Sequence, residues 1–391
     1  MGLDNFDCCR RQTLFIATAF FLWLVPSLNE IWKYTGEAGL LILSILGLSA
    51  ILVLGLFASR RGESIPRIWI AAICVVALGL FALLFPIAHS GVLGPGSDRD
   101  DALNVALQAL LAGHYPYDVA TYLGNPPTPM PGALILALPF YLLGTSALQN
   151  LAWMPMLAWW SVRHFGSSTI AAVFLLIFLL GCPASLGDFV VGGDYFINAI
   201  YVAIAIDAML YAGTNGKTWY RYAAMAFLSI AISSRPIYGF AVPVLAGTIL
   251  RSHGLRRMSE FLVVVGGLGT ILNGPYFIYD PSRFPTAHLT AKISDLPKFL
   301  HAAIVLPAIG MAIASLSFFV PMTRDRVFLL MAAALSVIFY PLFVYELATK
   351  GLGSGAMTAA AFSLPVTIFG GLWVCHELCS RTSSSVNHGT S

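Results

Sequence analysis

Apolar runs of about twenty residues, broken by short polar stretches, fill most of this chain, and that is the length a helix needs to cross a bilayer. The runs predict spans over 13–32, 38–58, 67–88, 147–163, 168–186, 193–213, 219–234, 236–250, 258–279, 298–321, 327–347 and 356–377. The implied fold is an all-α polytopic membrane protein of about twelve helices. They form a single transmembrane domain over 1–379, followed by a polar tail, 380–391, expected to be disordered. Two breaks are long enough to hold structure of their own, 89–130 and 280–297. Residues 131–146 are apolar but short and bounded by Pro131 and Gly144, which predicts a half-helix or re-entrant element. Inside the first long break a helical period returns. Leu103, Leu107, Leu110 and Leu111 form one face of a helix over 98–113, with Asp98, Asp100 and Asp101 in its first turn and Gly113 at its end. Such a helix is expected to lie flat on the membrane surface.

Composition sharpens this picture. Of 391 residues 58% are hydrophobic and only 10% charged, with a mean hydropathy of +0.81. Soluble domains carry about 25% charge, so that class is excluded. The alternation of a transmembrane β-barrel is absent, and nothing suggests a nucleic-acid partner. With the N-terminus cytoplasmic, Arg10, Arg11, Arg60, Arg61, Arg67, Arg163, Lys217, Arg221, Arg251, Arg256, Arg257, Arg324, Arg326 and Arg381 fall on the inner side. Only Lys33, Arg99, Arg235, Arg283, Lys292, Lys298 and Lys350 fall on the outer side. That bias orients the chain with both termini inside and both long loops outside. The first apolar run lacks a cleavage site and reads as an uncleaved span, and Phe6 stands where a myristoylation signal needs Ser or Thr. The cysteines are scattered; Cys375 and Cys379, one turn apart, read as small apolar residues of the last helix rather than as zinc ligands.

The polar groups that carry chemistry collect on the outer side. Asp98 and Asp101, three apart, share a helical face, where paired carboxylates suit a divalent cation such as Mg or Mn, or one carboxylate serves as a general base. The plainer alternative is a helix cap and dipole partners. In Gly113-His114-Tyr115-Pro116-Tyr117-Asp118 the aromatic and acidic groups suit either a sugar or the membrane interface, and for Tyr117 and Asp118 both readings stand. Asp194 and Asn198 share a face at the mouth of a span; Asp194 either caps that helix or binds substrate. Arg235, in the Ser233-Ser234-Arg235-Pro236 hairpin, breaks the inside bias and could hold a phosphate, or else snorkel or pair with one of the outer acids. His114, His288 and His301 are near the same side and read as structural.

The order of these features carries a resemblance. An acid cluster at Asp98 to Asp101, a helix, Gly113-His114-Tyr115-Pro116-Tyr117 and the Pro-rich Pro126 to Gly132 come first. Gly192-Gly193-Asp194-Tyr195 and Arg235-Pro236 follow. Over residues 94–245 this resembles the membrane-embedded GT-C glycosyltransferases of bacteria. Three spans precede the loop here where one is usual, Gly193-Asp194 stands where many relatives have Gly-Gln, and Arg235-Pro236 where many have Lys-Pro. The resemblance implies transfer of a sugar from a polyprenyl-phosphate donor to a cell-envelope glycan or lipid acceptor at the outer face of the bacterial cytoplasmic membrane. It implies a loop Asp as base, in the order Asp98, Asp101, Asp100, with Tyr117, Asp118, Asp194, Asn198 and Arg235 binding substrate. The rivals are a secondary transporter or flippase, which would place polar groups deep in broken helices, and a non-catalytic envelope-assembly subunit.

Overall fold

Glycine decides how the first apolar stretch is used. In a computed structural model, which describes residues 3–60, 64–90, 97–214, 217–298, 301–353 and 357–379, helix α1 (Leu3–Arg60) breaks at Gly36, whose φ of +65° favours a residue without Cβ. The two arms fold back on each other. A Cβ on Gly47 would lie 2.5 Å from the Trp23 ring, and one on Gly55 2.8 Å from Phe15. The arms are therefore an antiparallel hairpin, matching the runs 13–32 and 38–58.

The other helices are α2 (Ile68–His89), α3 (Arg99–Leu111), α4 (Pro131–Tyr141), α5 (Gln149–Phe165), α6 (Ser168–Leu175), α7 (Pro183–Val190), α8 (Tyr195–Thr214) and α9 (Thr218–Ile232). After them come α10 (Ala241–His253), α11 (Leu255–Tyr279), α12 (Pro285–Ile293), α13 (Ala302–Ala314), α14 (Arg324–Lys350), α15 (Thr358–Phe362) and α16 (Leu364–Cys379). The described residues contain no strand. By length and apolarity five stretches can cross a membrane: Gln12–Ala58, Ile68–His89, Tyr195–Gly213, Leu255–Tyr279 and Arg324–Lys350. The count reaches seven if each of two bent pairs is one span. Hydropathy alone predicts about twelve. Part of the difference is that Gln12–Ala58 counts as one stretch although it holds two arms, and the rest arises because other apolar segments are cut short. The chain turns by 92° between Pro131–Tyr141 and Ser146–Phe165, and by 73° between Ser168–Leu180 and Pro183–Val190. A π-helical stretch, Leu176–Leu180, precedes the second bend, and Trp23 Nε1 donates to the Gly181 carbonyl there at 2.6 Å.

α8 is the axis of the body. Phe196, Ile197, Ile200, Tyr201, Val202 and Ile206 are fully buried on all its faces, as a helix packed by neighbours on every side must be. Peripheral helices present the reverse, with Leu41, Ile45, Val76, Leu83, Val263, Ile271 and Ile304 exposed where lipid tails replace side chains. The tail 380–391 lies outside the described residues.

The loop helix departs from its expected role. Leu103 and Leu107 of α3 are fully buried, but against Ala133, Leu134 and Ala137 of α4, not against lipid. Leu110 joins them at the edge, whereas Leu111 is exposed and points away. The short, bent α4 supplies a protein surface for the leucine face. Gly113, at φ +78°, then ends α3.

Candidate functional site

Backbone contacts carry the first loop to the Arg235 hairpin. Met130 N donates to Ser234 O and Gly132 N to Ser233 O, each at 2.9 Å. Only glycine fits at 132, since a Cβ there would come 2.0 Å from the Ile230 carbonyl. This docking sets Thr128 beside Arg235, whose Nη1 donates to Thr128 Oγ1 at 2.5 Å. Arg235 Nη2 reaches both oxygens of the fully buried Asp194, at 2.7 and 2.5 Å. Asn198 Nδ2 donates to Asp194 Oδ2 at 3.0 Å and in turn accepts from the Tyr201 hydroxyl, so the shared helical face of Asp194 and Asn198 is realised.

Asp194 is free to hold Arg235 because another acid caps α8. Asp188 Oδ2 accepts from Phe196 N at 2.8 Å. Asp188 Oδ1 pairs with Arg99, and the absence of a side chain on Gly193 admits this carboxylate. The Arg99 and Arg235 guanidiniums both lie over the ring of Tyr195, 4.9 and 4.5 Å from its centre. Two arginines and a tyrosine are thus stacked by two buried carboxylates.

The three loop acids part company. Asp98 precedes α3 but makes no capping bond; its Oδ2 accepts from Thr121 Oγ1 at 2.6 Å and Asn125 Nδ2 at 2.8 Å. Asp101 accepts from Tyr122 N at 2.8 Å, on the same side of the helix but at the surface. Asp100 is buried, 3.2 Å from His89 Nε2, with Oδ1 unpartnered. Burial pushes its carboxyl up to about 6, while His89 pulls the other way. A divalent ion prefers six or more oxygens, whereas here Asp98 Oδ2 and the Asp101 carboxylate accept from the 121–125 loop. Among the described residues no three His, Cys, Asp or Glu side chains cluster as metal ligands, and the Cys379 side chain lies outside them.

Asp98, Arg99, Asp188, Tyr195 and Arg235 open on one cavity of about 1290 Å³. Its walls come from the α1 turn (Glu30, Lys33, Tyr34), the end of α2 (Leu84, Ile87), α12 (His288, Lys292) and the end of α14 (Phe339, Leu342, Glu346, Lys350). Lys33, Arg99, Arg235, Lys292 and Lys350 are five of the seven cations assigned to one side by sequence, and all five line it. Asp194 and Asn198 stand behind this wall and hold Arg235 from there. Tyr117 and Asp118 do not line it. Tyr117 is buried in an aromatic cluster with Tyr115, Tyr276 and Phe284, and the Asp118 carboxylate pairs with Arg283. Both tie the first loop to the second.

Sequence reading missed Arg99, Asp188 and Tyr195. All three sit inside motifs already singled out, Asp98 to Asp101 and Gly187 to Asn198, where attention to the acids hid the cation between them. No protein-family model, curated protein or solved structure matches this chain.

Proposed function

We propose that the protein is a GT-C-like membrane glycosyltransferase that moves a sugar from a polyprenyl-phosphate donor to a cell-envelope glycan or lipid acceptor. The observation that carries this reading is the large cavity on which a loop carboxylate and two stacked arginines open together, with apolar walls from membrane helices. Asp98 is the base. Both donors that hold it bond to Oδ2, and among the described residues Oδ1 accepts none. Oδ1 takes the proton of the acceptor hydroxyl as that oxygen bonds the anomeric carbon. The bond from this carbon to the phosphate oxygen breaks, and the departing lipid phosphate gains one negative charge. Arg235 meets it: its Nη atoms are engaged by Asp194 and Thr128, and its buried Nε has no partner. Arg99 adds a second positive charge across Tyr195.

The test is turnover of labelled polyprenyl-phosphate sugars by the purified chain in the presence of membrane extract. Asp98→Asn should lower the rate by about 10²–10⁴-fold with folding intact. Unchanged turnover in this variant removes Asp98 as the base.

The two bent helix pairs favour a second reading, a secondary transporter or flippase, because such proteins place broken helices around substrate. Substrate movement across sealed vesicles without chemical change would select it over the enzyme.

A further inference from the structure

The helical body has a second recess, of about 500 Å³, formed by α8, α9, α10 and the starts of α11 and α14. It is lined by Arg221, Arg257, Arg324 and His253, and no carboxylate lines it. The acids that serve these arginines stand behind the wall. Arg221 and Arg257 share Glu260 at 3.0 Å each, and Arg324 pairs with Asp207. Three guanidiniums against two carboxylates leave an uncompensated positive charge facing the recess. Arg221 is 8% exposed, and its Nε has no hydrogen-bond partner. A buried guanidinium nitrogen left open is costly and marks a place for an acceptor. Gly213 completes the floor. His253 Nε2 lies so near that a Cβ there would meet it at 2.6 Å.

We propose that this recess binds a phosphate group, supplied by the head of an anionic phospholipid. Guanidiniums in a fork suit phosphate oxygens, and basic recesses between membrane helices suit anionic headgroups. The surroundings favour a lipid over a free ion. Exposed Tyr211 lines the recess, exposed Trp219 and Tyr222 neighbour its Arg221 along α9, and amphipathic aromatics of this kind sit at headgroup depth. The site is independent of the large cavity. None of the cations that line that cavity lines this recess.

The experiment is native mass spectrometry of the full chain extracted from vesicles of phosphatidylcholine alone or mixed with phosphatidylglycerol. The wild type should retain phosphatidylglycerol in preference to phosphatidylcholine. Arg257→Gln removes one charge, and Ser252→Trp plugs the rim without changing charge. The first should weaken retention about fivefold, the worth of one arginine at a membrane surface, and the second should abolish it. Titration with inorganic phosphate separates the sources. A lipid site keeps its phosphatidylglycerol at concentrations that would empty a site for the free ion. Displacement by inorganic phosphate supports the phosphate chemistry and overturns the lipid assignment. Equal retention of both lipids, or unchanged retention in both variants, overturns the proposal.

Discussion

At the scale of single residues, the acids are told apart by what holds them. Asp100 carries the clearest pH signature. Its folded carboxyl is raised from 3.8 to about 6, so the folded protein binds its proton more tightly than the unfolded chain does. The stability this contributes is fully present below 3.8 and is lost as pH rises through about 6. Asp100→Asn should flatten the melting temperature between these limits and stabilise the neutral-pH protein by on the order of 2 kcal/mol. A pH series of thermal melts in detergent checks it, and an unchanged pH slope removes Asp100 as its source. Asp194 and Arg235 form the opposite case, a buried ion pair. Asp194→Asn strands a buried guanidinium and should cost about 3–5 kcal/mol. Asp194→Leu combined with Arg235→Met should regain most of that stability and none of the turnover. Recovery of turnover in the double variant would show that Arg235 does not touch the leaving phosphate.

At the scale of elements, the site depends on close approaches that a hydrophobic pattern does not encode. The spacing of Leu103 and Leu107 predicts a helix and its apolar face, and α3 forms as read. That face meets α4 rather than lipid because α4 is too short and too sharply bent to cross the bilayer alone, a property of Pro131, Gly144 and tertiary contact together. Asp194 was legible as a polar residue at a helix mouth. That Asp188 would take the capping bond and release it was not, since the bond spans a turn set by Gly192 and Gly193. Gly132 is the sharpest example, its backbone lying against Ile230 and Ser233. Gly132→Ala should lift the loop off the hairpin, costing about 1–3 kcal/mol. Hydrogen exchange of residues 121–132 should rise with it. Gly79→Ala, with nothing within 4 Å of its Cβ, is the control and should leave exchange there unchanged.

At the scale of the whole molecule, the sequence divides the cations into two sets, and the structure keeps them apart. Lys33, Arg99, Arg235, Lys292 and Lys350 surround the large cavity, and Arg221, Arg257 and Arg324 surround the smaller recess. α8 runs between the two, from Tyr195 at the cavity to Met209–Gly213 at the recess, and α14 runs the opposite way, from Arg324 to Lys350. Two antiparallel helices joining two charged regions through an apolar body are the arrangement of a membrane domain with a site at each surface. On the bias of Lys and Arg along the sequence, the recess is expected in the cytoplasm and the cavity outside. Single cysteines decide this. Tyr122 on the first loop is 59% exposed and Lys217 at the start of α9 is also exposed, so both accept substitution without loss of packing. Cys74, Cys182 and Cys375 are buried and stay as they are, with Cys8, Cys9 and Cys379 changed to Ser. A membrane-impermeant maleimide on intact cells should label Tyr122→Cys at once and Lys217→Cys only after lysis. The reverse order would keep the two-sided body but turn the cavity to the cytoplasm, where an extracytoplasmic lipid-linked donor could not reach Asp98. Labelling of both from one side would separate the cation sets from the membrane altogether, and the glycosyltransferase reading would lose the bilayer surface on which it depends.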